Sequence, residues 1–202
     1  MPQLTTAQRT EDWLAARKGR ITASNAAACL GIHPYISRQK AWREITGNQT
    51  PAEKKAQEAG HNFASRWGQN FEAVARNAYE AETGNLVTET GFWVHPDLPW
   101  LGCSPDGLIG SEGGLEVKCP EILYGKVPHY YRIQCQVQMA CLGRAWVDFF
   151  CWAKPNGQPN TKLWRIRRTG MMPVLIMLLK GFFDAYIATG IEPPKKRKKV
   201  KV

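Results

Sequence analysis

The sequence has no CxxC pair and no HxxxH pair. Its six cysteines (Cys29, Cys103, Cys119, Cys135, Cys141, Cys151) and four histidines (His33, His61, His95, His129) are scattered along 202 residues. This excludes the close grouping that zinc sites and iron–sulfur clusters use. The thiols read as reduced and mostly buried, as in a protein that is not exported. There is no long hydrophobic run. The longest, MMPVLIMLL at 171–179, ends at Lys180 and is far too short for a bilayer. The first residues are polar (Gln3, Thr5, Thr6, Gln8, Arg9), so no secretory apolar region is expected. Internal repeats are also lacking. The expectation is a soluble protein with a cytoplasmic location.

What is present is a globular composition, 44% hydrophobic, enough for one domain with a core. Net charge is +10, but it is unevenly spread. The end, PPKKRKKVKV, holds Lys195, Lys196, Arg197, Lys198, Lys199 and Lys201 without an acid; removing those six leaves +4 for residues 1–192. We read a single domain over 1–192, helical in its N-terminal part, and a basic flexible tail over 193–202. A phosphate-rich partner is suggested.

Periodicity predicts helices ending near Arg17, within ITASNAAACLG with Thr22 or Ser24 as cap and Gly31 as stop, and over Arg38–Thr46 closed by Gly47. Phe63, Trp67, Phe71, Val74 and Ala78 recur at helical spacing and predict an amphipathic helix from about Asn62 to Thr83. The pattern then changes to strands: a strand or hairpin in LVTETGFWVH, a strand and turn in WLGCSPDGLIG, and a short strand in GLEVKCP. A helix over 129–142, two strands around KPNGQPN, and a last helix from Pro173 to about Ala188 complete the chain. The order predicts an α/β (α+β) fold, a mixed central sheet flanked by helices, with one helix crossing over after the third strand.

The stretch CSPDGLIGSEGGLEVKCP, 103–120, carries the chemistry. In a strand, residues i and i+2 share a face, so Glu116 and Lys118 project together while Leu115 and Val117 face the other way. Asp106 sits in the turn SPDG that leads toward them. Two carboxylates at one place repel unless a cation lies between them, and oxygen ligands with retained waters suit Mg2+. A lysine beside such an ion can position or deprotonate a water for attack on a phosphodiester. Taken alone, the same residues are also what a common turn and a solvated strand face produce.

SPDG…GLEVKCP resembles the core of the PD-(D/E)xK nucleases. Four blocks in order, WLAARKGRITAS (13–24), RWGQNFEAVA (66–75), the core, and YRIQCQVQMACLG (131–143), resemble the λ-exonuclease or YqaJ-like viral recombinase family. The resemblance implies a restriction-endonuclease-like fold and a phage or prophage recombination exonuclease. It implies that Asp106 bridges or shares the metal ions, two per site, with Mg2+ expected and Mn2+ possible. Glu116 and the main-chain carbonyl of Val117 complete one ion site, and Glu72 adds an acidic ligand or holds a water. Lys118 orients the attacking water, with Tyr131, Gln134 and Gln136 near the scissile phosphate. Arg17 and Ser24 resemble a pocket for a 5′-terminal phosphate, with Arg20 a further DNA-binding candidate. Arg17 offers a planar fork for phosphate oxygens, and Ser24 lies near a helix start. The family further implies a homotrimeric ring around duplex DNA and a single-strand annealing partner.

Three functions compete on these grounds. The first is a Mg2+-dependent 5′→3′ exonuclease on duplex DNA that releases mononucleotides and leaves 3′ overhangs. The second is a non-catalytic DNA-binding recombination protein, and the third an endonuclease of the same fold. Asp106, Glu116, Lys118 and Glu72 are all present, which favours catalysis, and the Arg17/Ser24 pocket favours an end-directed enzyme. If the tail touches DNA phosphates, removing residues 193–202 will flatten the slope of log affinity against log salt. A DNA-binding titration over several salt concentrations measures this, and an unchanged slope leaves the tail a solubility feature.

Overall fold

The computed structural model describes residues 3–4, 8, 10–58, 63–154 and 157–195. The basic run 196–202, the segment 59–62, and the Phe63 and Trp67 side chains of the predicted apolar stripe lie outside the described part. The elements are β1 (Gln3–Leu4), α1 (Glu11–Arg17), β2 (Ile21–Thr22), α2 (Ala23–Cys29), α3 (Arg38–Thr46), α4 (Pro51–Glu58) and α5 (Phe63–Thr83). Then come β3 (Val87–Thr88), β4 (Phe92–Val94), β5 (Leu101–Cys103), β6 (Gly107–Ile109), β7 (Gly113–Lys118), α6 (His129–Leu142), β8 (Trp146–Ala153), β9 (Asn160–Arg167) and α7 (Met172–Phe182).

The helix limits follow local chemistry. Thr10 caps α1 by accepting the Trp13 N–H, and Ser37 caps α3 by accepting the Lys40 N–H. At the start of α2, the Thr22 N–H is held by Asn25 Oδ1 at 2.8 Å. Thr22 is therefore the N-cap, and Ser24 already lies within the helix. The final helix is shorter than expected: after Phe182 the chain widens into a π turn, Phe183–Ile187.

The strands form two sheets, one ordered β1-β4-β5-β2 and one ordered β3-β6-β7-β8-β9. β7 and β8 are parallel, which demands a crossover, and α6 supplies it. The predicted mixed sheet and crossover are found. The LVTETGFWVH segment differs from a hairpin, because β3 pairs with β6 while β4 pairs with β5 in the other sheet.

The larger sheet has two different faces. Leu115, Val117, Phe150 and Trp152 pack with Ala75 and Tyr79 of α5. On the other face, Val147, Phe149 and Cys151 pack with Cys135 and Met139 of α6. The far side of α6, through Val137, Cys141 and Leu142, packs with α2 and with Leu101 and Cys103 of the smaller sheet. α6 thus lies between layers, and every residue from Gln134 to Leu142 is buried. Among the described side chains of α5 the buried ones are Ala75 and Tyr79, whereas Val74 is 45% exposed. The stripe therefore runs through Phe71, Ala75, Ala78 and Tyr79 rather than through Val74, because β8 offers aromatic rings to that side.

One polar tie crosses this apolar layer. Asp148 of β8 is fully buried and accepts the Tyr79 hydroxyl at 2.7 Å and the Arg165 guanidinium at 2.8 and 2.9 Å. A buried carboxylate is tolerated only with its oxygens satisfied, and here both are. Tyr79→Phe removes one bond to that charge and will lower unfolding free energy by about 1–3 kcal/mol. Urea denaturation monitored by circular dichroism measures the change. No loss would mean that α5 holds to the sheet by apolar contact alone.

Candidate active site

β6 begins at Gly107, so its backbone ladder with β7 stops at the Gly107–Leu115 pair. Asp106 continues the ladder by other means. Its N–H donates to the Leu115 carbonyl at 3.0 Å, and its Oδ2 accepts the Val117 N–H at 2.7 Å. The turn is thereby clamped beside the strand end. Gly107 is needed for close approach, because a Cβ there would lie 2.2 Å from Val87 Cγ1. On the outer side, the Pro105 carbonyl accepts Gln8 Nε2 at 2.9 Å, and the Asp106 carbonyl accepts Arg76 Nη1 at 3.4 Å.

Glu116 and Lys118 share the face of β7 that α6 covers, as their spacing requires. Glu116 is only 1% exposed. Its Oε1 accepts Lys118 Nζ and, at 2.6 Å, Gln134 Nε2; its Oε2 accepts Gln138 Nε2. Lys118 also lies 5.1 Å from the centre of the Tyr131 ring. The site thus brings together Asp106, Glu116, Val117, Lys118, Gln134 and Tyr131. Burial pulls the Lys118 ammonium toward deprotonation, but Glu116 and Asp106 reverse this and hold its pKa well above the usual lysine range. Burial drives the Asp106 carboxyl well above the usual carboxylate range; Glu116 and, more weakly, Glu72 add to this while Lys118 and the Val117 N–H oppose it. Glu72 acts on Asp106 and on Cys119 from α5, which brings it within electrostatic reach of the site.

One residue expected near the scissile phosphate, Gln136, is not brought there. Gln136 donates to the Arg167 carbonyl at 2.8 Å and accepts from Thr169, tying α6 to the end of β9. Two residues along a helix is a turn of about 200°, so Gln134 and Gln136 cannot face one site. Arg20, the further DNA-binding candidate, donates to the carbonyls of Pro99 at 2.8 Å and Ala16 at 2.7 Å and ties α1 to the turn before β5. Sequence reading missed Gln138, whose signal was its position four after Gln134, on the same helix face.

Arg17 and Ser24 do come together. Arg17 Nη2 makes long contacts of 3.4 Å to Ser24 Oγ and 3.5 Å to Thr22 Oγ1, and its guanidinium lies 4.1 Å from the Trp13 ring centre. Burial lowers the Arg17 pKa to about 10, with Glu44 and Cys103 opposing, so it stays a cation at neutral pH. Trp13 Nε1 donates to Ser104 Oγ at 2.9 Å, two residues from Asp106. The Arg17 pocket and the acidic turn are therefore joined by a direct bond.

Among the described residues, no three His, Cys, Asp or Glu side chains are gathered in a metal-binding geometry. The chemistry of the donor set nevertheless fits a hard cation. Asp106, Glu116 and the Val117 carbonyl are all oxygen donors, and an ion that keeps several waters needs few protein ligands. Asp106 and Glu116 repel each other, and a cation between them would relieve that repulsion.

Comparison with known proteins places the chain. Residues 12–145 match the YqaJ-like viral recombinase domain. The protein YqaJ of Bacillus subtilis (strain 168) is 25% identical over 141 residues, which is 66% of this chain and 42% of that protein, so the chain spans well under half of that relative. Among solved structures, the alkaline exonuclease LHK-Exo of Laribacter hongkongensis is 34% identical, with a TM-score of 0.73 covering 91% of this chain and 95% of that one. The same enzyme in complex with dAMP matches at a TM-score of 0.72. A phage-related exonuclease from Haemophilus somnus 129PT, 13% identical with a TM-score of 0.56, shares the fold. With two thirds of its length matched to one domain type, the chain belongs to the YqaJ-like viral recombinase family.

Proposed function

We propose that the protein is a divalent-metal-dependent exonuclease of phage-type recombination. It degrades one strand of duplex DNA from a 5′-phosphorylated end, releasing mononucleotides and leaving 3′ overhangs. The observation that carries this reading is the Trp13–Ser104 bond, which joins an arginine pocket to the turn holding Asp106. The match to an alkaline exonuclease over nearly the whole of both chains supports the same conclusion.

In this reading Asp106, Glu116 and the Val117 carbonyl would hold the cation, Mg2+ or Mn2+, with Glu72 as an outer acid and a second ion completing the pair. A bound cation supplies charge stabilisation at the scissile phosphate. The protein's own groups do the rest. Lys118, bonded to Glu116, orients the attacking water. Gln134 and Gln138 fix the Glu116 carboxylate so that its direction does not change during turnover. Tyr131 lines the Lys118 side of the site. Arg17 and Ser24 receive the terminal phosphate. The retention of both acids and the lysine counts against a non-catalytic binding protein. A trimeric ring and an annealing partner belong to the same proposal. The exposed apolar side chains Met171, Val174, Met177 and Leu178 on and beside α7 offer a surface for such contacts.

Two expected outcomes test the reading. The first uses the raised Asp106 pKa. A carboxyl whose folded pKa exceeds its unfolded value favours the fold at low pH, and that stability is lost as pH rises from the unfolded range through the folded one. Asp106→Asn will therefore raise the melting temperature of the metal-free protein by a few degrees at neutral pH while abolishing cleavage. Scanning fluorimetry with a chelator present measures the first effect, and an unchanged or lower melting temperature refutes the electrostatic account. The second is digestion of a 5′-labelled linear duplex with and without Mg2+. Mononucleotides should appear only with metal and faster from a 5′-phosphate than from a 5′-hydroxyl. Arg17→Ala will erase that preference, losing about 10–100-fold on phosphorylated ends. Equal loss on both ends would remove Arg17 from the pocket.

A further inference from the structure

The loop between α2 and α3 carries an aromatic residue that the core does not use. Tyr35 is 83% exposed, yet its backbone is fixed. His33 Nδ1 accepts the N–H groups of Tyr35 at 3.2 Å and Ile36 at 3.1 Å, and Ile36 packs on the core. From Tyr35 a row of rings leads inward. Tyr35 to His33 is 6.1 Å between centres, His33 to Tyr130 is 4.7 Å, and Tyr130 to Tyr131 is 4.3 Å, with Lys118 over Tyr131. Among the described residues, His33, Tyr35 and Tyr130 belong to none of the three hydrophobic clusters. The row thus begins in solvent and ends at Lys118.

We propose that Tyr35, His33 and Tyr130 form a stacking path for unpaired nucleobases, guiding the strand under attack toward Lys118. The inference rests on the nuclease reading above and names a base-binding site for it. Three observations favour a nucleic-acid strand as occupant. Aromatic faces hold bases of any sequence, as a sequence-tolerant exonuclease needs. The accepting Nδ1 makes His33 a neutral ring with its proton on Nε2, and burial lowers its pKa in the same direction, so the path has no charge to tie it to one phosphate position. The direction also fits. α2 runs seven residues from the Arg17–Ser24 pocket to this loop, about 10 Å, or roughly three stacked nucleotides. A strand with its 5′-phosphate at Arg17 and its next linkages over Asp106 has its following bases in reach of the row.

The test is binding in a chelator, so that nothing is cut. Two 5′-phosphorylated single strands are compared by fluorescence anisotropy, one with all its bases and one abasic at its second to fourth nucleotides. Tyr35→Ala, at a surface position where folding is not at stake, should weaken binding of the first strand about tenfold. On the abasic strand it should bind as the unsubstituted protein does, and Tyr35→Phe should restore affinity on the first. Tyr130→Leu should show the same dependence on bases. Equal effects of Tyr35→Ala on both strands, including no effect on either, overturn the proposal. Digestion of labelled duplex by the unsubstituted protein separates the two levels. Metal-dependent digestion with base-independent Tyr35 behaviour discards the stacking path alone. No metal-dependent digestion discards the nuclease reading and the path with it.

Discussion

Burying a carboxylate costs several kcal/mol unless its oxygens find partners of the right kind. Glu116 is almost fully buried, and the surrounding structure is arranged to meet that cost. Lys118 comes from the same strand face. Gln134 and Gln138 come from the one helix that crosses between the parallel strands β7 and β8. The crossover is therefore both a topological necessity and the source of the amides that hold the acid. Gln138 shows how strongly the acid governs its neighbours. Its Nε2 is turned to Glu116 and its buried Oε1 is left without a partner, although one such orphan costs about 1–3 kcal/mol. Rotating the amide would satisfy no one, because it would set two oxygens against each other.

The two faces of the central sheet divide the work. Toward α5 the buried side chains of the sheet are apolar apart from Asp148, which Tyr79 and Arg165 satisfy. Toward α6 it carries the acid and the lysine. The Asp148–Arg165 and Glu116–Lys118 ion pairs are thus separated by the thickness of a sheet. Asp106, at the strand end, answers to both sides: β7 clamps it, while Glu72 and Arg76 act on it from α5.

Much of this was legible in the chain because it depends on short periods. The i, i+2 relation in GLEVK put Glu116 and Lys118 on one face, and 129–142 read as a helix closed by Gly143. Other features depend on distance in sequence. Strands of two residues, such as β1 and β2, have no period to detect, so the second sheet was not anticipated. The choice between Val74 and Ala75 as the buried position is made by Trp152 and Phe150, which lie more than seventy residues on. The glutamine pair at 134 and 136 looked alike as letters but diverges in angle, and the partner of Gln134 proved to be Gln138. The Trp13 indole reaches Ser104 across ninety-one positions, a bond that no local pattern announces.

The register of β7 on β8 has a consequence for synthesis. Phe149 stands opposite Glu116, and β8 follows β7 by way of a whole helix. While a ribosome is still making α6, the acid has neither its neighbouring strand nor its amides, and it lies in water as an ordinary glutamate. Parallel pairing of this kind closes late, since a long loop must be ordered first. A growing chain therefore carries no assembled centre, and the Glu116 cluster forms only once α6 and β8 have been made.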